Sequence, residues 1–420
     1  MKQVLVLTYF WPPSGKASLH WPLRMVQQLP TFGWQPTVLT VDEDTFSQKD
    51  ESLLKEVPEN LQVVRARAFE PFNVYRRFLG KKKNAPLVAS ESISTTNRSL
   101  RHRIAIWIRM NLFIPDARIG WYWNAVRHGM KILRSKKFDA IVSNGPPHTT
   151  LLIGNRLSEL SGVPHIPVFI DPWVDIAYYR DFERSKPTLA LDRHFERSVL
   201  EHASRIIFVT KSMQENYAQR YAFVKNKSQV LYWGFDESAF AQVHKNISTE
   251  FETILHAGNM FDYQNPPALW KSIRQEIDHG RKLRLYFTGT VGPAIRNEIQ
   301  NAGLTSHTEF LGFLPHAAMV EKMVNADYLV FCATEKRHVP GKLFEYLRAG
   351  KKIIGFGDDN KEIEEILQQV SAGKIFPYRY EKTDIFTQVD SVHPTPAPVS
   401  QFSRNTIAKQ LAILLDGIKF

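Results

Sequence analysis

Apolar runs of strand length, each followed by a stretch of helical period, constrain this chain more than any other feature. Val4 to Thr8 is a continuous apolar run closed by Pro12, Pro13 and Gly15, which predicts a strand buried in a parallel sheet. A helix follows from about Ser18, with Pro22 in its first turn, Leu23, Met25, Val26 and Leu29 turned inward, and Gly33 as its stop. The strand Pro36 to Val41 completes a βαβ unit. The pattern blurs between Thr45 and Arg118, where only Leu61 to Val64 reads as a strand, and then resumes. Helices are predicted around 123–135, 148–161 and 191–202, and strands at 140–143, 165–170, 206–209 and 230–233.

The alternation breaks at GFDESAFAQVHKNIS, a polar stretch with turn residues. A second run starts at Thr253 to Ala257 and continues through strands at 283–288, 309–311, 328–332 and 352–356, with helices between them. The class is α/β, with two doubly wound domains end to end. Residues 1–235 make the first, 236–250 a linker, 251–398 the second, and 399–420 a tail with an amphipathic helix. A chain of 420 residues suits two cores of about 200 residues each.

Composition narrows the function. Hydrophobic residues at 43% and charged residues at 23% exclude a disordered or fibrous chain. The start MKQVLVLTYFWPP lacks a cleavage pattern, and no window reaches the roughly 18 uncharged apolar residues of a spanning helix. A cytoplasmic location is expected, and the lone Cys332 fits a reducing compartment. Of the net charge of +12, the stretch from Arg65 to Arg118 carries +9, with twelve basic residues against three acids. Its cations alternate with Phe72, Tyr75, Phe78, Leu79, Trp107, Ile108, Leu112 and Phe113. Residues 65–118 are therefore expected either to rest on an anionic membrane or to form an ordinary solvated basic face. No nucleic-acid-binding signature accompanies the charge, so no nucleic acid is expected.

In open α/β sheets ligands bind beyond the carboxyl ends of the strands, where helix N-termini favour anions. That rule selects a few loops. Gly15 and Lys16 in YFWPPSGKAS can border a phosphate or sugar hydroxyl, or simply connect a strand to a helix; the loop has neither the P-loop nor the GxGxxG pattern. His148, after the Gly145-Pro146-Pro147 stop, can touch a reacting sugar or merely start its helix. Asp171 directly follows a buried strand, as a site acid or a hydrogen-bond hub. Glu345, in GKLFEYLRAGKKIIGFG, stands near a helix start, where it can accept hydrogen bonds from a vicinal diol such as ribose or only complement the helix dipole. Lys342 and the amides at Gly341 to Leu343 can meet a diphosphate. Asp42-Glu43-Asp44 has no further ligand at metal spacing and reads as a solvated turn.

These segments together resemble GT-B glycosyltransferases of family 4, the bacterial surface-polysaccharide type. VPGKLFEYLRAGKKIIGFG is similar to the family's donor-binding segment, and ILHAGNMFDYQNP to its glycine loop. LYFTGTVGPA and EFLGFLPHAAMVEKMVNADYLVF resemble the nucleobase region, and YFWPPSGKAS, SNGPPHTT and FIDPWVD the cleft loops of the first domain. The resemblance implies two Rossmann-like domains facing a central cleft, acceptor on the first and nucleotide-sugar on the second. It implies a retaining transfer to a glycan or lipid-linked acceptor, with no metal or other cofactor. It places donor contacts at Gly258, Asn259, Gly289, Phe313, Arg337, Gly341, Lys342, Leu343 and Glu345, with His148 and Asp171 at the reacting centre. Arg337 stands eight positions before Glu345, where the family carries an acid, and the glycine loop lacks the family's Arg and Lys. A sugar-nucleotide epimerase and an inactive transferase-like partner subunit are the alternatives.

Overall fold

The computed structural model describes residues 1–46, 48–69, 100–176, 179, 182–241, 243, 250–333, 335–395 and 397–418. The chain divides into two compact units, Met1–Leu231 with Ala408–Phe420, and Tyr232–Ile407.

The first unit is a seven-stranded parallel sheet of order β3-β2-β1-β4-β5-β6-β7. Its strands are β1 (Lys2–Leu7), β2 (Trp34–Val41), β3 (Gln62–Ala66), β4 (Ala140–Gly145), β5 (His165–Phe169), β6 (Ile206–Phe208) and β7 (Ser228–Val230). Val4 pairs in register with Pro36 on one side and Ala140 on the other. The chain winds outward from β1 to β3, then returns to β4 beside β1 and winds the other way. The β1/β4 boundary is thus the switch point, where flanking loops diverge and leave room for a ligand.

The second unit repeats the plan with six parallel strands of order β10-β9-β8-β11-β12-β13. They are β8 (Glu252–Ala257), β9 (Leu283–Thr288), β10 (Thr308–Gly312), β11 (Tyr328–Cys332), β12 (Lys352–Phe356) and β13 (Gly373–Phe376). Its switch point is β8/β11. Along β11, Tyr328, Val330 and Cys332 enter one hydrophobic cluster while Leu329 and Phe331 enter another. The period-2 alternation therefore buries both faces of the strand, as its unbroken apolar run requires.

The segment expected as a linker differs. Phe235 and Phe240 are buried in the core of the second unit, a short helix spans Ser238–Ala241, and Phe235 forms a bridge with Ser403. The second unit accordingly begins at Tyr232, because these aromatics outweigh the polar residues around them. Trp233, expected at the end of a strand, lies outside β7 and packs against the second unit's core. The last helix, Arg404–Asp416, ends within the first unit, where Asp416 accepts from Lys2 Nζ at 2.8 Å and from Trp34 Nε1 at 3.1 Å. Most of the basic segment expected at a membrane, including Arg76, Arg77 and Lys81 to Lys83, lies outside the described residues.

Candidate active site

Four neighbouring strands of the second unit end on one edge, and each contributes a residue expected at the donor. Phe313 follows β10, Gly289 follows β9, Gly258 and Asn259 follow β8, and Arg337 to Glu345 follow β11. Gly258 and Gly289 have φ of 123° and 82°, in the region open to glycine without strain. A Cβ on Gly289 would lie 2.8 Å from the Gly258 carbonyl carbon, so the two loops touch backbone to backbone. Asn259 Oδ1 accepts from Thr290 N at 2.9 Å, which fixes this contact.

Glu345 lies on the helix Gly341–Ala349, with its side chain 11% exposed. Two neighbours hold it: Lys342 Nζ at 2.7 Å from Oε2, and His316 Nε2 at 3.3 Å from Oε1. Burial pushes the carboxyl upward, but the His316 hydrogen bond and the Lys342 cation outweigh burial and hold it down at about 2. The helix itself is pinned by Tyr346, whose hydroxyl accepts from Ala257 N at 2.9 Å and donates to the Val330 carbonyl at 3.1 Å. One phenol thereby ties the ends of β8 and β11 to the helix that carries Glu345.

Other expected contacts are placed as follows. Gly341 abuts Trp233, whose ring would lie 2.8 Å from a Cβ. Leu343 is wholly buried and its amide donates to the Pro340 carbonyl at 2.9 Å. That bond engages the amide within the first turn of the helix. Lys342 spends its charge on Glu345 here rather than standing alone. Arg337 is half-buried in a loop braced by Asn360, whose Nδ2 donates to the carbonyls of Glu335 and His338 at 3.2 and 2.8 Å. Phe313 is 88% exposed. Gln264 carries no mark in the sequence, yet it accepts from Phe261 N at 2.9 Å and donates to the Cys332 carbonyl at 2.9 Å, bridging the loops on either side of the switch point.

In the first unit, Gly15 and Lys16 follow β1, His148 follows β4 and Asp171 follows β5, on three adjacent strands. Gly15 N donates to the Gln48 carbonyl at 3.0 Å, and Lys16 precedes a short 3-10 turn, Ala17–Leu19. His148 is buried and stacked on Trp173, with centroids 5.0 Å apart and planes 18° apart. Burial drives its pKa down to about 4, against the pull of Asp116 and a hydrogen bond to the Asp171 backbone. The ring is neutral, and its Nε2 has no hydrogen-bond partner among the described residues.

Asp116 was not anticipated as part of this site. Its carboxylate takes Thr149 N and Thr149 Oγ1, each at 2.9 Å, and so fixes the helix start next to His148. Asp171 is half-buried, and the loop after it rests on buried acids. Trp173 Nε1 donates to Asp192 at 2.7 Å, Asp192 pairs with Arg184, and Val174 N donates to Glu196 at 3.2 Å. Burial raises the pKa of both Asp192 and Glu196, partly offset by Arg184 and Arg220.

Asp42 precedes a solvent-side 3-10 turn, Glu43–Thr45, as expected of a solvated turn. Among the described residues no group of three His, Cys, Asp or Glu side chains is placed to hold a metal ion. No helix of the described residues is long and apolar enough to cross a membrane.

No curated protein sequence matches the chain. Solved structures match over nearly its whole length. HepE of Anabaena in complex with UDP is 14% identical, with 99% of this chain and 100% of that chain covered and a TM-score of 0.63. A glycosyltransferase from Rickettsia africae is 11% identical, covering 99% and 98%, with a TM-score of 0.62. Sucrose-phosphate synthase from Thermosynechococcus elongatus is 12% identical, covering 99% and 95%, with a TM-score of 0.58. These likenesses establish the two-sheet fold. The profile of Glycosyltransferase Family 4 matches residues 23–239, just over half of the chain, and with the paired α/β units it makes this chain a member of glycosyltransferase family 4, built on the GT-B fold.

Proposed function

We propose that the chain moves a sugar from a nucleotide-diphosphate donor to a hydroxyl of a glycan or lipid-linked acceptor, with retention of anomeric configuration, in cell-surface polysaccharide synthesis. The observation that carries this reading is the ionised Glu345 carboxylate beside the β8/β11 switch point, held by Lys342 and His316. A fixed acceptor of that kind suits the two hydroxyls of a ribose. Phe313 offers a face to the base, and the glycine loops at Gly258 and Gly289 let the diphosphate approach the backbone. Lys342 and Arg337 supply positive charge to the diphosphate, in place of the cations missing from the glycine loop.

In this reading the bond from the sugar C1 to the diphosphate oxygen breaks while the acceptor oxygen bonds C1 on the same face. The acceptor proton passes to the departing diphosphate oxygen. Cations fixed in advance at that oxygen lower the barrier because they need no reorganisation as charge develops. His148, neutral with Nε2 unbonded among the described residues, accepts a hydrogen bond from a substrate hydroxyl, and Asp171, one strand over, lies beside the reacting centre.

HepE has been solved with UDP-glucose, which makes UDP-glucose the first donor to try. The test is a thermal-shift panel of nucleoside diphosphates and their sugars, followed by NMR of the anomeric product. A rise in melting temperature with one nucleotide, lost in Glu345→Ala, is expected. Absence of any shift across the panel overturns the reading.

Peripheral membrane contact belongs to the same proposal. The first unit exposes Phe69, Trp107, Leu112 and Trp123, and the Arg67 side chain is 89% exposed. Exposed aromatics beside cations suit the interface of an anionic bilayer. Co-sedimentation with phosphatidylserine vesicles is expected to weaken in Trp107→Ser/Trp123→Ser, and unchanged binding by that variant counts against the contact.

A further inference from the structure

The loop after β8 reads Gly258-Asn259-Met260-Phe261-Asp262-Tyr263-Gln264 and contains no cation. Its polar side chains are committed to holding its shape. Asn259 Oδ1 takes Thr290 N, Asp262 Oδ1 takes Ala294 N at 2.9 Å, and Gln264 reaches the Cys332 carbonyl. Met260 is buried and exchanges backbone bonds with the neighbouring loop, accepting from Gly292 N and donating to the Thr290 carbonyl, each at 2.8 Å. Gly292 is obligatory, since a Cβ there would lie 2.1 Å from Asp262 Oδ1. What this rigid loop presents to solvent is two aromatic rings, Phe261 and Tyr263, 52% and 65% exposed. They are stacked with centroids 5.7 Å apart and planes only 8° apart. Tyr263 also lies within electrostatic reach of Tyr378, whose hydroxyl donates to the Ala333 carbonyl just past β11. The pair therefore stands at the switch point itself, on the same unit and the same sheet edge as Glu345.

We propose that Phe261 and Tyr263 form an aromatic platform for the pyranose ring of the donor, which packs its C–H face on the rings while its hydroxyls stay in water. The inference rests on the nucleotide-sugar reading above. Three features select this occupant. Because the two rings are stacked, each covers part of the other, and the open outer face of the pair is a flat apolar surface that matches the axial hydrogens of a pyranose and gains dispersion energy from close contact. A preformed loop loses little conformational freedom when the ring arrives. A diphosphate gains nothing from this surface, because it carries no cation and displays Asp262.

Calorimetry on the full chain tests the platform. UDP, GDP and ADP are titrated first, and the diphosphate that binds is compared with its glucose, galactose and mannose conjugates. In Phe261→Ala and Tyr263→Ala the conjugate that binds wild type most tightly is expected to lose about three- to tenfold in affinity. Affinity for the bare diphosphate stays within about twofold, and Tyr263→Phe behaves as wild type. Equal losses for diphosphate and conjugate, or no loss for either, overturn the platform while leaving the nucleotide site intact. Failure of wild type to bind any of the diphosphates overturns the nucleotide-sugar reading, and the platform with it.

Discussion

Lys342 Nζ stands 2.7 Å from Glu345 Oε2, three residues earlier on the same helix, so the cation and the acid of the candidate donor site are bound to each other before any nucleotide arrives. The pairing lets a nearly buried position midway along a core helix keep an ionised carboxylate without a stranded charge. Replacing the acid by Gln is expected to weaken nucleoside-diphosphate binding about tenfold or more, since the diol loses a charged acceptor. The pH dependence has a definite sign. With its pKa held at about 2 instead of 4.5, the carboxylate contributes stability that is complete above pH 4.5 and lost as pH falls toward 2. The gap in denaturant midpoint between wild type and Glu345→Gln should therefore close across that window, and a gap that stays constant would show that the pair is not coupled to folding.

Phe313 gives the complementary case of a residue with a proposed contact and little structural role. At 88% exposure it has few neighbours to lose, so Phe313→Ala should leave stability within about 0.5 kcal/mol. Loss of a stacking face for the base should nevertheless lower nucleoside-diphosphate affinity about three- to tenfold and narrow the difference between UDP, GDP and ADP. Fluorimetric titration against each diphosphate checks both expectations. A variant that binds all three as wild type does would remove Phe313 from the site.

The contrast between Glu345 and its supports shows what was legible in the chain. An acid in an apolar and basic run marks itself, and unbroken apolar runs such as Tyr328 to Cys332 mark a buried parallel strand. The strand and the burial of the acid are legible because each signal lies within a few neighbouring residues. Tyr346, Gln264 and Asp116 carry no such mark. Tyr346 meets Ala257 across 89 positions and Gln264 meets Cys332 across 68, and in a helical pattern each reads as an ordinary core or surface residue. The polar stretch after Gly234 misled for the opposite reason: its Asp, Glu and Gln set the average, while Phe235 and Phe240 alone decide where the chain packs.

Three buried histidines should dominate the acid limb of stability. Burial lowers the pKa of His148 and His256 to about 4 and that of His165 to about 3, from 6.5. A group depressed in the folded state favours folding above its unfolded pKa and loses that contribution as pH falls from 6.5 to the folded value. At pH 5 each should already have forfeited about 2 kcal/mol. Unfolding at pH 5 should then take up protons, and His165→Gln should remove close to one of them while flattening the slope of midpoint against pH. Proton uptake, measured by calorimetry in buffers of different ionisation enthalpy, decides the matter. Uptake unchanged in that variant would mean that His165 is already protonated in the fold.

Tyr346 offers the sharpest separation of fold from site. Its hydroxyl serves the Ala257 amide as acceptor and the Val330 carbonyl as donor, both inside the core where no water replaces it. Tyr346→Phe keeps the ring and the packing but orphans a buried N–H, for which the expected loss is about 1–3 kcal/mol. Ala257 immediately precedes Gly258, and Tyr346 immediately follows Glu345, so the same bond sets the spacing between the glycine loop and Glu345. If that spacing matters for binding, nucleoside-diphosphate affinity should fall several-fold at temperatures where the variant is still fully folded. Adding nucleotide should then raise its melting temperature less than it raises that of wild type at equal ligand concentration. An equal rise would assign the phenol to the fold alone and leave the placement of Glu345 to Lys342 and His316.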